Sequence, residues 1–129
     1  VSEPAGWRVG RALLGEDPRL RMLAPDEPPS AAPLLVVANG SACRSEKAPG
    51  HLDERAFAFD EEIGTALRAG DAAALAGLDA ARGEPLWCFD VAAFVAMGSA
   101  VRCPVVVQVD HDDDPFGVQY WVVRWTCGS

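Results

Sequence analysis

The residues best suited to chemistry gather in one polar stretch, Asn39 to His51. Its run Arg44-Ser-Glu-Lys47 places Arg44, Glu46 and the chain's only lysine, Lys47, almost side by side. A guanidinium and an ammonium so close together can bind a carboxylate or a phosphate. The same residues can equally form an internal salt-bridge cluster that holds a long loop in shape. Just upstream, Asn39-Gly40-Ser41 can offer backbone N–H groups to an anion or simply turn the chain. Cys43 stands next to Arg44, and a neighbouring cation favours a reactive thiolate. The only histidines are His51, which closes the stretch, and His111, in the acidic run Asp110 to Asp114. Both sit in polar turns, where solvated loop histidines are expected. The oxygens of Asp110, Asp112, Asp113 and Asp114 can hold a hard cation, but they lack the Asp-x-Asp-x-Asp-Gly order of a calcium loop. A solvated turn stiffened by Pro115 is the expectation.

The composition excludes several classes. With 129 residues, 50% hydrophobic and 23% charged, the chain fits one ordinary globular unit. Its net charge of -8 opposes binding to nucleic acid and to anionic membranes. The longest strongly apolar runs, Leu34 to Ala38 and Val105 to Val107, fall far short of the roughly 20 residues of a membrane span. Cys43, Cys88, Cys103 and Cys127 lack zinc-knuckle spacing and are expected to be reduced thiols. The first residues have neither the basic start nor the apolar core of a signal peptide, so a cytoplasmic location is expected.

The elements that must position these residues follow from periodicity. Residues 1–33 form an N-terminal segment and connector: Trp7, Arg11 and Leu14 share a face of a short helix, and five prolines between Glu16 and Pro33 enforce extended chain. Residues 34–129 form the domain proper. Leu34 to Ala38, ending at Asn39-Gly40, is expected to be a central strand buried on both faces. Ser41 to Leu52 is a long polar surface loop. Asp53 caps a helix ending at Gly70, with Phe59, Ile63, Ala66 and Leu67 on its buried side. Asp71 caps a second, with Leu75 and Leu78 inward, stopped by Gly83 and Pro85. A third runs from Asp90 to Ala100 with the stripe Val91, Phe94, Val95 and Gly98, the glycine suiting close packing. Pro104 to Val109 and Val118 to Trp125 are strands, paired as a hairpin or as neighbours, the latter apolar on both faces. Strand, helices and strands together predict an α/β domain, a layered sheet with flanking helices.

The stretch from Val37 through Gly40-Ser-Ala-Cys-Arg-Ser-Glu-Lys-Ala-Pro-Gly-His-Leu-Asp-Glu-Arg-Ala56 to Phe59-Asp60 resembles a group of actinobacterial proteins related to the catalytic B subunit of class III extradiol ring-cleavage dioxygenases. The Ala69-Gly-Asp71 turn and Asp114-Pro-Phe-Gly-Val118 through Tyr120 are similar too, so the resemblance covers about Leu34 to Trp125. It implies the C-terminal part of that fold. It also implies a non-haem Fe(II) held by two histidines from an N-terminal half and one glutamate from a later helix. Asp90-Val-Ala-Ala-Phe-Val-Ala-Met97 is similar to the glutamate motif, which puts Asp90 in the metal ligand's place, one methylene short. As a residue before an apolar helix stripe, Asp90 also suits an ordinary N-cap. The family's acid/base histidine would fall within Asn39 to Cys43, where this chain has Ser41, Ala42 and Cys43, and no histidine precedes Leu34.

The resemblance therefore implies an incomplete iron site in this chain: no cofactor alone, and Fe(II) only with a partner half. Three functions follow. The chain is a non-catalytic domain that binds a small-molecule ligand or partner through Asn39, Ser41, Arg44, Glu46, Lys47 and His51, alone or as a homo-oligomer. Alternatively, it is an extradiol oxygenase completed by a separate N-terminal half. The third possibility is an accessory small-molecule-binding protein of a biosynthetic pathway.

Overall fold

In the computed structural model, residues 5–24, 26–27 and 33–128 are described; Pro25, Pro28 and Pro29 of the connector lie outside them. The order is α1 (Ala5–Leu14), α2 (Arg55–Ala69), α3 (Ala72–Ala76), α4 (Ala80–Gly83) with a 3-10 turn (Glu84–Leu86), α5 (Val91–Ala100), β1 (Val105–Asp113) and β2 (Tyr120–Cys127). It is a small mixed α/β domain.

The helix α2 is the centre of the core because its apolar positions recur at helical spacing. Phe59, Ile63, Ala66 and Leu67 are buried, as expected, with Ala56 beside them, and pack with Leu75, Leu86, Val91 and Phe94. Asp53 accepts the Arg55 N–H at its start, and Gly70 ends it at φ 67°, a left-handed conformation that glycine adopts without a Cβ clash. Asp71 caps α3 by accepting from the Ala74 N–H. The second expected helix is broken, however. Asp79 accepts the Ala81 N–H and starts α4 anew, leaving Leu78 half-buried between the two short helices.

Gly98 permits α5 to lie against α3, for a methyl placed there would strike the Ala72 carbonyl oxygen and the Ala76 nitrogen. Both are backbone atoms that cannot swing aside. Gly98→Ala should therefore destabilise the domain by about 1–3 kcal/mol despite the better helix propensity of alanine. Urea unfolding is the measurement, and a midpoint equal to or above the parent's contradicts this packing.

The last two strands pair as a hairpin, as expected, but the sheet differs from the expectation in two ways. Among the described residues it has two strands, an antiparallel hairpin in which Val107 faces Trp125 and Val105 faces Cys127. Leu34 to Ala38 forms no regular element and joins no ladder among the described residues, and Leu34 and Leu35 are about half exposed. An apolar run becomes a central strand only if a neighbouring strand pairs with it; here Gly6 and Gly10 of α1 lie against Val37 and Ala38 packs at the edge of the core, but among the described residues no strand pairs with the run. Lastly, β2 is buried on one face: Trp121, Val123 and Trp125 turn inward and Val122 is 52% exposed. Trp125 Nε1 donates to the Leu67 carbonyl at 2.8 Å, and Trp121 meets Phe94 edge to face.

Two local expectations also change. The acidic run belongs mostly to β1, where a bulge between Val109 and His111 turns Asp110 out of register. Cys103 and Cys127 are joined by a disulfide across the open end of the hairpin, with Cα atoms 5.6 Å apart, so they are not reduced thiols. The strand pairing, invisible in their spacing of 24 residues, brings them together.

Candidate functional site

The loop from Asn39 to Asp53 is held from three directions. The hairpin end grips one side: the Gly40 N–H donates to the Gln119 carbonyl, the Gln119 N–H to the Ser41 carbonyl and the Arg44 N–H to the Gly117 carbonyl, all within 3.1 Å. On the other side the turn before α5 takes hold, through the Ala42 N–H on the Leu86 carbonyl and the Cys88 thiol on the Asn39 carbonyl. From below, α2 presents Asp60. Ser41, Ala42, Cys43 and Ala48 are consequently buried, and only the rest of the loop is the solvated surface the sequence suggests.

The expected anion-binding donors at the head of this loop are already taken within the chain, Gly40 by the Gln119 carbonyl and the others by carboxylates. The Asn39 N–H donates to Asp90 Oδ2 at 3.0 Å, and the Ser41 N–H donates to Asp60 Oδ1 at 2.8 Å. The Ser41 hydroxyl donates to Asp60 Oδ2 at 2.5 Å. Arg44 bridges Asp60 and Asp114, at 3.2 and 2.6 Å, while its guanidinium lies over the Phe57 ring. Of the two readings of Arg44, the geometry gives the internal cluster. Lys47 is exposed and forms no ion pair among the described residues. Glu46 is exposed as well, its carbonyl 3.4 Å from His51 Nδ1.

Asp60 is the residue that sequence reasoning missed as part of the site, although a signal existed. It lies between Phe59 and Ile63 on the buried face of α2, and a carboxylate on an apolar stripe needs a partner. Trp87 and Phe89 were missed too, and no periodicity marks them. Both are exposed, with ring centroids 6.3 Å apart.

Among the described residues, the only non-glycine positions with left-handed backbone are His51 at φ 59° and Trp87 at φ 57°. Trp87 is seated on Gly50, the residue before His51: a Cβ there would lie 2.9 Å from Trp87 Cγ, so the indole rests directly on glycine backbone. Each such conformation costs on the order of 1–3 kcal/mol, and such strain concentrates where ligands are held.

The remaining candidates resolve as follows. Asp90 starts α5 but its carboxylate caps no helical N–H, being turned instead to Asn39. His51 and His111 lie on separate elements, and among the described residues no three His, Cys, Asp or Glu side chains converge. These residues do not fit a two-histidine, one-carboxylate iron site. The acidic run holds protein donors rather than open oxygens: Asp110 takes Arg124, Asp112 takes Arg68 and Gln119, and Asp114 takes Arg44. Burial pushes the Cys43 thiol up, helped by Asp53 and Asp60, and pushes Cys88 up to about 12. Cys43 is moreover 1% exposed with its thiol on the Gly50 carbonyl, an environment that does not suit a reactive thiolate. Comparison with known protein families, curated proteins and solved structures yields no match. No helix among the described residues is long and apolar enough to cross a membrane.

Proposed function

We propose that this chain is a ligand- or partner-binding domain, similar to the C-terminal part of class III extradiol dioxygenase B subunits and non-catalytic by itself. Its binding surface consists of the outer part of the Asn39 to His51 loop with Trp87 and Phe89. The observation that carries the reading is the seating of Trp87 on Gly50, with Trp87 and the adjoining His51 both in left-handed conformations. The loop is anchored by Asp60, Asp90 and the hairpin, so its exposed residues are presented on a rigid base. Rigid presentation reduces the ordering cost of binding. The test is amide-resolved NMR of the chain titrated with a fragment library. Shifts should concentrate at 46–51 and 87–90, and consistent clustering on the outer face of the hairpin overturns the assignment.

An oxygenase completed by a separate N-terminal half would need two imidazoles brought to Asp90 and the release of its hydrogen bond to Asn39. Fe(II) offered anaerobically to the isolated chain should accordingly be lost on desalting. One retained equivalent that disappears in Asp90→Asn, which keeps an oxygen for the Asn39 N–H, would promote the oxygenase. A cytoplasmic setting is part of the same reading, and it requires the Cys103–Cys127 bond to withstand cellular thiols.

A further inference from the structure

We infer that the exposed Trp87–Phe89 pair is a docking surface for a basic, arginine-containing polypeptide segment of a partner. This rests on the binding surface just proposed and assigns the sign of what it binds. The sequence pointed to an anion, because Arg44 and Lys47 lie there. The structure reverses that sign. Arg44 is consumed by Asp60 and Asp114, Arg55 by Asp53 and Arg82 by Glu62. Among the described residues, the charges that form no ion pair on segments 46–54 and 84–90 are Glu46, Glu54, Glu84 and Asp90, against Lys47 alone.

Two of these acidic residues flank the rings along the backbone. The Trp87 N–H donates to the Glu84 carbonyl at 3.1 Å, and Asp90 directly follows Phe89. Aromatic faces attract guanidinium groups through the ring quadrupole, and carboxylates beside them accept the guanidinium's N–H donors. An exposed tryptophan and phenylalanine, 48% and 69% accessible and flanked in the chain by Glu84 and Asp90, match that chemistry, whereas an anionic ligand would meet an excess of negative charge on these segments. The chain's overall charge of -8 adds long-range attraction for a basic partner.

The experiment compares three octapeptides, alternating Arg-Gly, Gln-Gly and Glu-Gly, by calorimetry and by amide shifts at moderate salt. The Arg-Gly peptide should bind at least tenfold more tightly than Gln-Gly and shift the amides of Gly50 and Trp87. Phe89→Ala, and Trp87→Gly, which keeps a residue at ease with positive φ, should each weaken it at least fivefold with the protein's charge unchanged. Equal affinity in both variants would mean that the net charge alone attracts the peptide, and the inference falls. If Gln-Gly or Glu-Gly shifts Gly50 and Trp87 more strongly than Arg-Gly, the surface stands as a binding site but its cationic preference is wrong. If no peptide shifts these amides, the docking surface itself is refuted.

Discussion

Asp60→Ala should lower the folding stability of this domain by about 3–5 kcal/mol, the usual cost of removing one partner from a buried ion pair. The carboxylate is 2% exposed and accepts from the Ser41 N–H, the Ser41 hydroxyl and Arg44. Removing it leaves those donors buried without their acceptor, in a region packed closely enough that a Cβ on Gly40 would lie 3.0 Å from Asp60 Oδ1. For a domain with a total stability of about 5–15 kcal/mol, such a loss brings partial unfolding. The anchoring role is separable from general damage by a double-mutant cycle with Arg44→Ala in urea. Arg44 has a side chain 18% exposed, so its truncation should cost more than the about 0–1 kcal/mol of a surface pair. The double variant should be clearly more stable than the sum of the two losses predicts. Additivity within about 0.5 kcal/mol would show that the pair is not coupled. Lys47→Ala serves as the control, with an expected change within about 0.5 kcal/mol, since the residue is exposed and unpaired.

Phe59→Ala should cost a similar amount, about 3–5 kcal/mol, for a different reason: it leaves a cavity rather than unpaired charge. The ring is 3% exposed and belongs to the cluster of Ile63, Leu86 and Val91, and a Cβ on Gly83 would lie 3.3 Å from its Cζ. Gly83 precedes the turn that carries Trp87, so part of the loss should appear as looser packing of that turn against α2. Thermal unfolding should shift down by roughly 10–20 °C for a chain of this size. A variant melting within a degree or two of the parent would place Phe59 outside the core. Phe59→Leu, which refills much of the volume, should recover most of the difference.

The functional consequence of these two residues is the same: they fix the base on which the exposed loop stands. Arg44 illustrates how far sequence alone carries such a site. Its proximity to Lys47 made two roles possible, and nothing local distinguished them. The deciding partners are Asp60, 16 residues away, and Asp114, 70 residues away. Asp90 illustrates the same limit, because Asn39, 51 residues upstream, takes its carboxylate.

What the sequence determined by itself is what depends on neighbours within a few residues. The helix ending at Gly70, its apolar stripe, the Asp71 cap and the Gly98 contact side of α5 all follow from helical periodicity and local backbone preference. These features are read along one element, and each was legible. Tertiary structure alone decided which groups from distant segments meet. The fate of Leu34 to Ala38 depended on a neighbouring strand, the Cys103–Cys127 bond on strand pairing, and the burial of one face of β2 on which side α2 occupies. The candidate surface is of this second kind. Trp87 rests on Gly50 because two turns, 37 positions apart, are brought together by Asp60, Asp90 and the hairpin end. Charge and spacing along the chain contain no information about that encounter, which is why its sign of charge emerged only after the internal ion pairs were known.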